Sequence, residues 1–403
     1  MKQYDLVIIG GGIIGLASAY NILQADQSLK IALLEKESSI ARHQTGHNSG
    51  VIHSGIYYKP GSLKAKSCVL GVKKLLEFCD SHDIPYDLCG KLIVATGEDE
   101  LPRLKELYRR GTENQVEGLK LIDQKELKKI EPYANGISAI HAPKTGIVDY
   151  TKVAQALYQE ILKLGAQVFL EHKVIGIKET NAEIIIQTEK GAFSSKYLIN
   201  CSGLHADIIA KKSGCKLKEK IVPFRGEYYY LKPEKASFLK GLIYPVPNPK
   251  FPFLGVHLTR RITGEVEVGP NAVLAFAKEG YKKSQMNLKE MGAYLGYTGF
   301  WSMVRRHWKV GFYEFYRSYF KSAFLKDIQR LMPDIQENDL IPGGSGVRAQ
   351  VISPNGQMVD DFLIHSTSKI LNVLNAPSPG ATSCLAIGEH LKDTLFSQME
   401  VLK

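Results

Sequence analysis

The run "VIIGGGIIG", Val7 to Gly15, contains Gly10-x-Gly12-x-x-Gly15, a spacing that suits a phosphate-binding turn between a strand and a helix. Gly10 permits the tight turn, Gly12 leaves room for backbone to approach a pyrophosphate, and Gly15 lets helix and strand pack closely. A helix that starts there aims its free amides and the positive end of its dipole at the phosphates. Glu35 follows Gly15 by twenty residues, at the end of the next apolar run, where a carboxylate can accept ribose hydroxyls. With strand, turn, helix and acid in register, an adenine dinucleotide is the expected ligand; a plain glycine turn is the alternative.

The elements needed to hold such a ligand recur along the chain. Residues 4–9 read as a strand, 14–25 as a helix and "KIALLEK" as a second strand, one βαβ unit. A helix at 151–164, a strand at 166–170, a hairpin-like pair at 173–188 and "KYLINCSG" resume the same pattern late. Between 217 and 270 the texture changes to alternating segments such as "GEYYYLK" and "EVEVGP", which predicts an antiparallel sheet. The expected fold class is α/β: a Rossmann-like dinucleotide-binding domain, discontinuous over 1–85, 145–215 and 340–403, with an inserted α+β substrate domain over 86–144 and 216–339. FAD fits this layout better than NAD. A nicotinamide enzyme usually completes its cofactor fold contiguously, whereas here Cys201 to Gly203 and "PSPGATSCLAIG" return after long insertions. Pro379 and Gly380 precede a helix whose amides and dipole suit negative charge on a reduced flavin ring.

Composition narrows the field. At 403 residues two domains are the prior expectation. The opening strand leaves no room for a secretion signal, which predicts that the chain is not exported, and no apolar run reaches the roughly 18–20 residues of a spanning helix. Six cysteines, at 68, 79, 89, 201, 215 and 384, form no C-x-x-C pair, so neither a disulfide framework nor a metal site is expected. The net charge of +11 suits nucleic acid, anionic lipid or an acidic substrate. No nucleic-acid motif accompanies it, which disfavours an RNA-binding flavoprotein.

Longer runs carry a resemblance: "HNSGVIHSGIYYKPGSLKAK" (47–66), "VPFRGEYY" (222–229), "YPVPNPKFPFLGVHLT" (244–259), "VGPNAVLAFAKEGY" (268–281), "SGVRAQ" (345–350) and "NAPSPGATS" (375–383). In these the chain resembles the D-amino-acid oxidase-like FAD-dependent oxidoreductase superfamily over nearly its whole length, and within it the members that act on a 2-hydroxy acid. The resemblance implies FAD, oxidation of L-2-hydroxyglutarate to 2-oxoglutarate, and electron delivery to a membrane quinone or another acceptor. Cofactor contacts are expected at Gly10, Gly12, Ile14, Gly15, Glu35, Lys36, Thr45, Ser49, Gly50, Val174, Cys201, Gly203, Arg348, Pro379, Gly380, Ala381 and Thr382. A histidine near the position of His53 holds flavin covalently in some relatives. An amine or amino-acid oxidase on the same fold is the nearest rival, since fold does not fix substrate.

Hydride transfer from a hydroxyl-bearing carbon requires a group that removes the hydroxyl proton, and neutral imidazole, with an ordinary pKa of about 6.5, is suited to it. His53, in a turn-like glycine-bounded stretch, is favoured; His257, in an apolar strand, is the second candidate. A dicarboxylate needs two anchors, and arginine pairs with a carboxylate through a two-pronged fork. Arg225 and Arg348 lie in the matched runs and Arg260 directly follows one, with Arg348 among small residues that let a ligand approach. Tyr57 offers a phenolic donor, and Lys59, Lys64 and Lys66 add positive field or form a solvated face.

Residues 286–332 read as helical. Within them Trp301 and Trp308, the only tryptophans, lie among many Tyr and Phe with Arg305, Arg306, Lys309, Arg317, Lys321 and Lys326. Aromatics mixed with bases suit a helix lying on anionic lipid; the competing expectation is that the rings pack into the core. The first predicts a cytoplasmic protein bound peripherally to the inner face of the membrane.

Overall fold

The apolar run that opens the chain becomes the central strand, Lys2–Ile9, of an eight-stranded sheet in the computed structural model, which describes residues 2–248 and 254–401. Residues 249–253 of the 244–259 run lie outside the described residues. Leu6, Val7, Ile8 and Ile9 are buried, as expected of a parallel strand covered on both faces. It pairs in parallel with Ile31–Leu34 on one side and with the long strand Gly191–Asn200 on the other. Gln167–Phe169 extends the sheet beyond Ile31–Leu34. Beyond Gly191–Asn200 the hairpin Val174–Glu179 and Ile184–Thr188 covers its first half, and Ile370–Asn375 pairs with its last residues. Helices Ile13–Ala25, Tyr150–Lys163 and Cys384–Val401 cover one face, with Leu16, Ile22, Leu157 and Leu391 in one core with Leu6 and Ile8.

A nine-stranded, mostly antiparallel sheet forms the second layer system. Its backbone is the long pair Lys220–Leu231 and Leu340–Ile352. From there Val266–Gly269, His257–Arg260, Leu242–Pro245, Lys91–Ala95, Ser138–Ala142 and Lys120–Asp123 follow in order. One junction is parallel, with Leu242 beside Lys91 and Tyr244 beside Ile93. The sequence reading returned the chain to the dinucleotide-binding part at residue 340. Instead Leu340–Ile352 is hydrogen-bonded along its length to Lys220–Leu231, and the first sheet resumes with Leu363–Ser366, which pairs antiparallel with Ile370–Asn375.

The 286–332 stretch forms three helices, Leu288–Leu295, Thr298–Tyr319 and Lys321–Leu331. Phe324, Ile328 and Leu331 of the last pack against Leu92, Ile243 and Leu258 of the second sheet. The middle helix turns Phe300 and Met303 inward and keeps a buried Glu314 and Arg317 paired with each other. Its other aromatics point out: Trp301 is 54%, Trp308 59%, Phe312 74% and Tyr319 69% exposed. Most of its rings are therefore outside the core.

Candidate active site

The glycine turn has the geometry that the motif requires. Gly10 has φ +113°, and a Cβ there would lie 2.5 Å from the Cys201 carbonyl oxygen, so only glycine is tolerated. At Gly15 a Cβ would lie 2.1 Å from the Gly10 carbonyl oxygen. Gly12, the residue preceding helix Ile13–Ala25, is different: its Cβ would meet only Thr45 Oγ1, at 3.5 Å. That leaves open space where the helix amides point. Thr45 Oγ1 accepts the Ile13 amide at 3.0 Å. Glu35, expected to accept ribose hydroxyls, receives the Gly11 amide on one oxygen at 2.7 Å and the Glu37 amide on the other at 2.9 Å, so its carboxylate is held at the end of its strand beside the turn. Lys36 lies beside it and pairs with Glu37 and with Glu279, the latter at 2.6 Å. Glu37, His43 and Glu279 bring possible metal ligands within 4.8 Å of one another, but the Lys36 ammonium already supplies the positive charge there.

One cavity of about 1870 Å³ runs from this turn to Tyr244, His257 and Arg348 of the second sheet, larger than the roughly 300–1,000 Å³ of a pocket for a drug-sized ligand. Gly10, Gly12, Ile14, Glu35, Lys36, Thr45, Ser49, Val174, Cys201 and Gly203 line it, and so do Arg348 and Pro379 to Thr382. Gly15 and Gly50 do not line it: Gly15 packs against the Gly10 carbonyl, and Gly50, with φ +70°, packs against the Val148 carbonyl. The open space at Gly12, the helix amides and the size of this cavity fit an extended dinucleotide.

At the far end His53, His257, Tyr57 and Arg348 share the same wall. Two separate parts of the chain, Cys68 and the segment from Ser378 to Thr382, hold His53. Its amide donates to Thr382 Oγ1 at 3.1 Å, its carbonyl accepts from the Cys68 thiol at 3.2 Å, and Nε2 lies 3.1 Å from Ser378 Oγ. Thr382 is itself tied to the Tyr150 hydroxyl at 2.8 Å. Burial, with Lys91, His257 and Lys64 adding positive charge, holds the His53 imidazole well below its ordinary range. His257 opens strand His257–Arg260 and stacks on Tyr244 with ring centres 3.9 Å apart. Its Nδ1 lies 2.9 Å from the Gly255 carbonyl, which fixes the hydrogen on Nδ1 and leaves Nε2 as an acceptor. Burial pulls it down to about 3. Both imidazoles are therefore neutral near pH 7, the state in which they take up a proton.

Arg348 is the one of the three arginines that reaches the cavity. Arg225 is buried and its guanidinium is held by Glu227 at 2.9 and 3.0 Å. Arg260 pairs with Asp87 and donates to the Lys240 carbonyl at 3.1 Å. Neither lines the cavity, because local carboxylates satisfy both forks. Lys64 reaches the wall but is engaged with the Asp360 carbonyl at 2.8 Å and carboxylate at 2.9 Å. Sequence reasoning missed Tyr244, Tyr150 and above all Lys91. Lys91 is 2% exposed, and its ammonium lies 3.9 Å from the Tyr244 ring centre and 4.9 Å from that of Tyr57. The signal was there: a lone cation after Gly90 at the head of the otherwise apolar run "LIVA".

An extended cavity that begins at a glycine-rich strand-to-helix turn and ends at neutral histidines and an arginine defines a flavoprotein oxidoreductase. The chain belongs to the FAD dependent oxidoreductase family, which it matches over residues 5–394, and FAD is its cofactor. It is 52% identical over 387 residues to an L-2-hydroxyglutarate dehydrogenase of Indibacter alkaliphilus, covering 96% of this chain and 97% of that one. The mitochondrial L-2-hydroxyglutarate dehydrogenase of Homo sapiens is 45% identical over 417 residues, covering 99% and 90%. Among solved structures, the FAD-bound, dithionite-reduced L-alpha-glycerophosphate oxidase of Mycoplasma pneumoniae matches with a TM-score of 0.80 at 25% identity, covering 98% of this chain and 95% of that one. All six cysteines are free. Among the described residues no helix is long and apolar enough to cross a membrane.

Proposed function

We propose that this chain oxidises L-2-hydroxyglutarate to 2-oxoglutarate with FAD. The observation that carries the reading is the 52% identity, over nearly the full length of both chains, to a protein that bears this activity in its name. The site is chemically consistent with it. His53 takes the hydroxyl proton, the Ser378 hydroxyl and the Thr382 contact hold its ring and backbone, and His257 Nε2 is the second acceptor. Arg348 pairs with a substrate carboxylate, and Tyr57 donates to the substrate. FAD, when bound, supplies the acceptor for the hydride that leaves C2. The glycine turn, Glu35, Lys36, Thr45, Cys201 and Gly203 bind its dinucleotide half, and Pro379 to Thr382 bind the ring end. The test is anaerobic titration of the yellow holoprotein: L-2-hydroxyglutarate should bleach the flavin band, and L-lactate and amino acids should not. Bleaching by amino acids alone would make the chain an amine oxidase instead.

We further propose that the electrons pass to a membrane quinone or another acceptor, with this cytoplasmic protein bound peripherally to the inner face of the membrane. This rests on the exposed rings of Trp301, Trp308, Phe312 and Tyr319 and on the exposed Arg305, Arg306 and Lys309 of the same helix. Such a face has the rings for the headgroup layer and the charges for anionic lipid. Sedimentation with vesicles containing anionic lipid tests it. Binding should be strong at low salt and lost when Trp301, Arg305, Arg306 and Trp308 become Ser; equal binding by that variant would refute the assignment.

A further inference from the structure

Lys91 is a buried cation without a counter-charge. Among the described residues no carboxylate pairs with it, and its recorded partners are the two aromatic faces of Tyr57 and Tyr244. The nearest anionic candidate, the Cys68 thiol, is pushed by burial up to about 12 and stays neutral. Burial in turn draws the Lys91 ammonium down to about 7. An isolated ammonium among apolar groups is costly unless something opposes its charge. Tyr57, which does line the cavity, has a buried hydroxyl with no hydrogen-bond partner among the described residues. The cation and this unpartnered donor therefore sit together, one behind the other, at the wall that also carries His53, His257 and Arg348.

We propose that Lys91 is a positioning residue for the second carboxylate of the substrate, the one Arg348 does not take: Tyr57 donates a hydrogen bond to that carboxylate while Lys91, over the Tyr57 ring, supplies the opposing charge. The inference rests on the dicarboxylate reading given above. It explains how two negative charges are accepted beside the histidines although, of Arg225, Arg260 and Arg348, only Arg348 lines the cavity. A cation over the ring also makes the phenol a stronger donor, because the positive field favours withdrawal of electron density from its O–H. The lysine comes to this position through the parallel pairing of Lys91 with Leu242, which sets its side chain beside Tyr244.

The test uses the full-length holoenzyme with Lys91→Met, Lys91→Arg and Tyr57→Phe. Glutarate, an unreactive dicarboxylate, is titrated while the flavin absorbance is followed, and the anaerobic reduction rate is measured against L-2-hydroxyglutarate concentration. Lys91→Met should weaken glutarate binding and raise KM by about 30-fold or more, the scale of a lost buried charge partner, with a much smaller fall in the limiting reduction rate. Lys91→Arg should restore most of the binding. Lys91→Met should also melt no lower than the wild type without glutarate, since it removes an unpaired buried charge; a lysine that merely supports the fold would do the reverse. Unchanged glutarate affinity in Lys91→Met, or a limiting rate that falls as much as KM rises, would overturn the inference. Wild-type protein that binds glutarate but is not reduced by L-2-hydroxyglutarate would refute the proposed reaction and leave the Lys91 assignment standing. Wild-type protein that neither binds glutarate nor is reduced by L-2-hydroxyglutarate would sink both.

Discussion

Gly15→Ala and Gly12→Ser, two residues of one motif, should fail in different ways. At Gly15 the new Cβ would fall 2.1 Å from the Gly10 carbonyl oxygen. Since both groups are backbone-fixed, helix Ile13–Ala25 must draw away from the strand end by roughly 1 Å to reach ordinary contact. Overpacking of that kind costs about 1–3 kcal/mol. Unfolding entropy of about 2.1 cal/mol/K per residue makes that a fall in Tm of about 1–4 °C for the whole chain. The same movement takes the helix amides from the pyrophosphate. Losing one hydrogen bond to a charged group, about 1.5–3 kcal/mol, weakens FAD roughly 10- to 150-fold. At Gly12 the Cβ meets only Thr45 Oγ1, at 3.5 Å, and Ser is a favourable residue before a helix. The apoprotein of Gly12→Ser should therefore melt within about 1 °C of the wild type, yet bind FAD at least about 10-fold more weakly, because its side chain occupies the space of the phosphates. Calorimetry of the flavin-free proteins and fluorescence titration with FAD read the two quantities separately. An unshifted Tm for Gly15→Ala, or a Gly12→Ser protein that melts low and binds FAD normally, would refute the assignment of clash to one residue and ligand space to the other.

His53→Asn should slow anaerobic flavin reduction by about 100-fold or more with FAD still bound, the usual scale for a lost general base; near-normal reduction would pass the role to His257. Arg348→Lys keeps the charge and loses the fork, so KM for L-2-hydroxyglutarate should rise, and unchanged kinetics would return Arg348 to a structural role. The pH profile has a defined sign at both ends. Burial lowers His53 below its ordinary range and His257 to about 3, so the neutral bases persist as pH falls through 6.5 and the limiting rate should stay flat there. Lys91, brought down to about 7, loses its charge as pH rises above that value, so KM should climb on the alkaline side; a profile that falls at 6.5 and is flat above 7 would contradict both.

The dinucleotide end was legible in the sequence because its constraints are local. A turn that admits no Cβ, a helix start and an acid at the end of the next strand all fall within the first 35 residues, so Gly10, Gly12, Gly15 and Glu35 could be read together. The helical stretch at 286–332 was legible for the same reason, from its composition and spacing. What the sequence left open were questions of partnership across long separations. Arg225, Arg260 and Arg348 look alike as residue types. Only the folded chain places Glu227 and Asp87 against the first two and turns the third toward the cavity. The outward turn of Trp308 and Phe312 depended on which side of their helix met the second sheet. Lys91 was hidden most completely. Lysine is ordinarily exposed, and its burial arises from strand pairing with residues about fifty and a hundred and fifty positions away, Ala142 and Leu242. Backbone geometry and periodicity are written residue by residue, whereas the charge a side chain faces is set by whichever distant segment the fold packs against it.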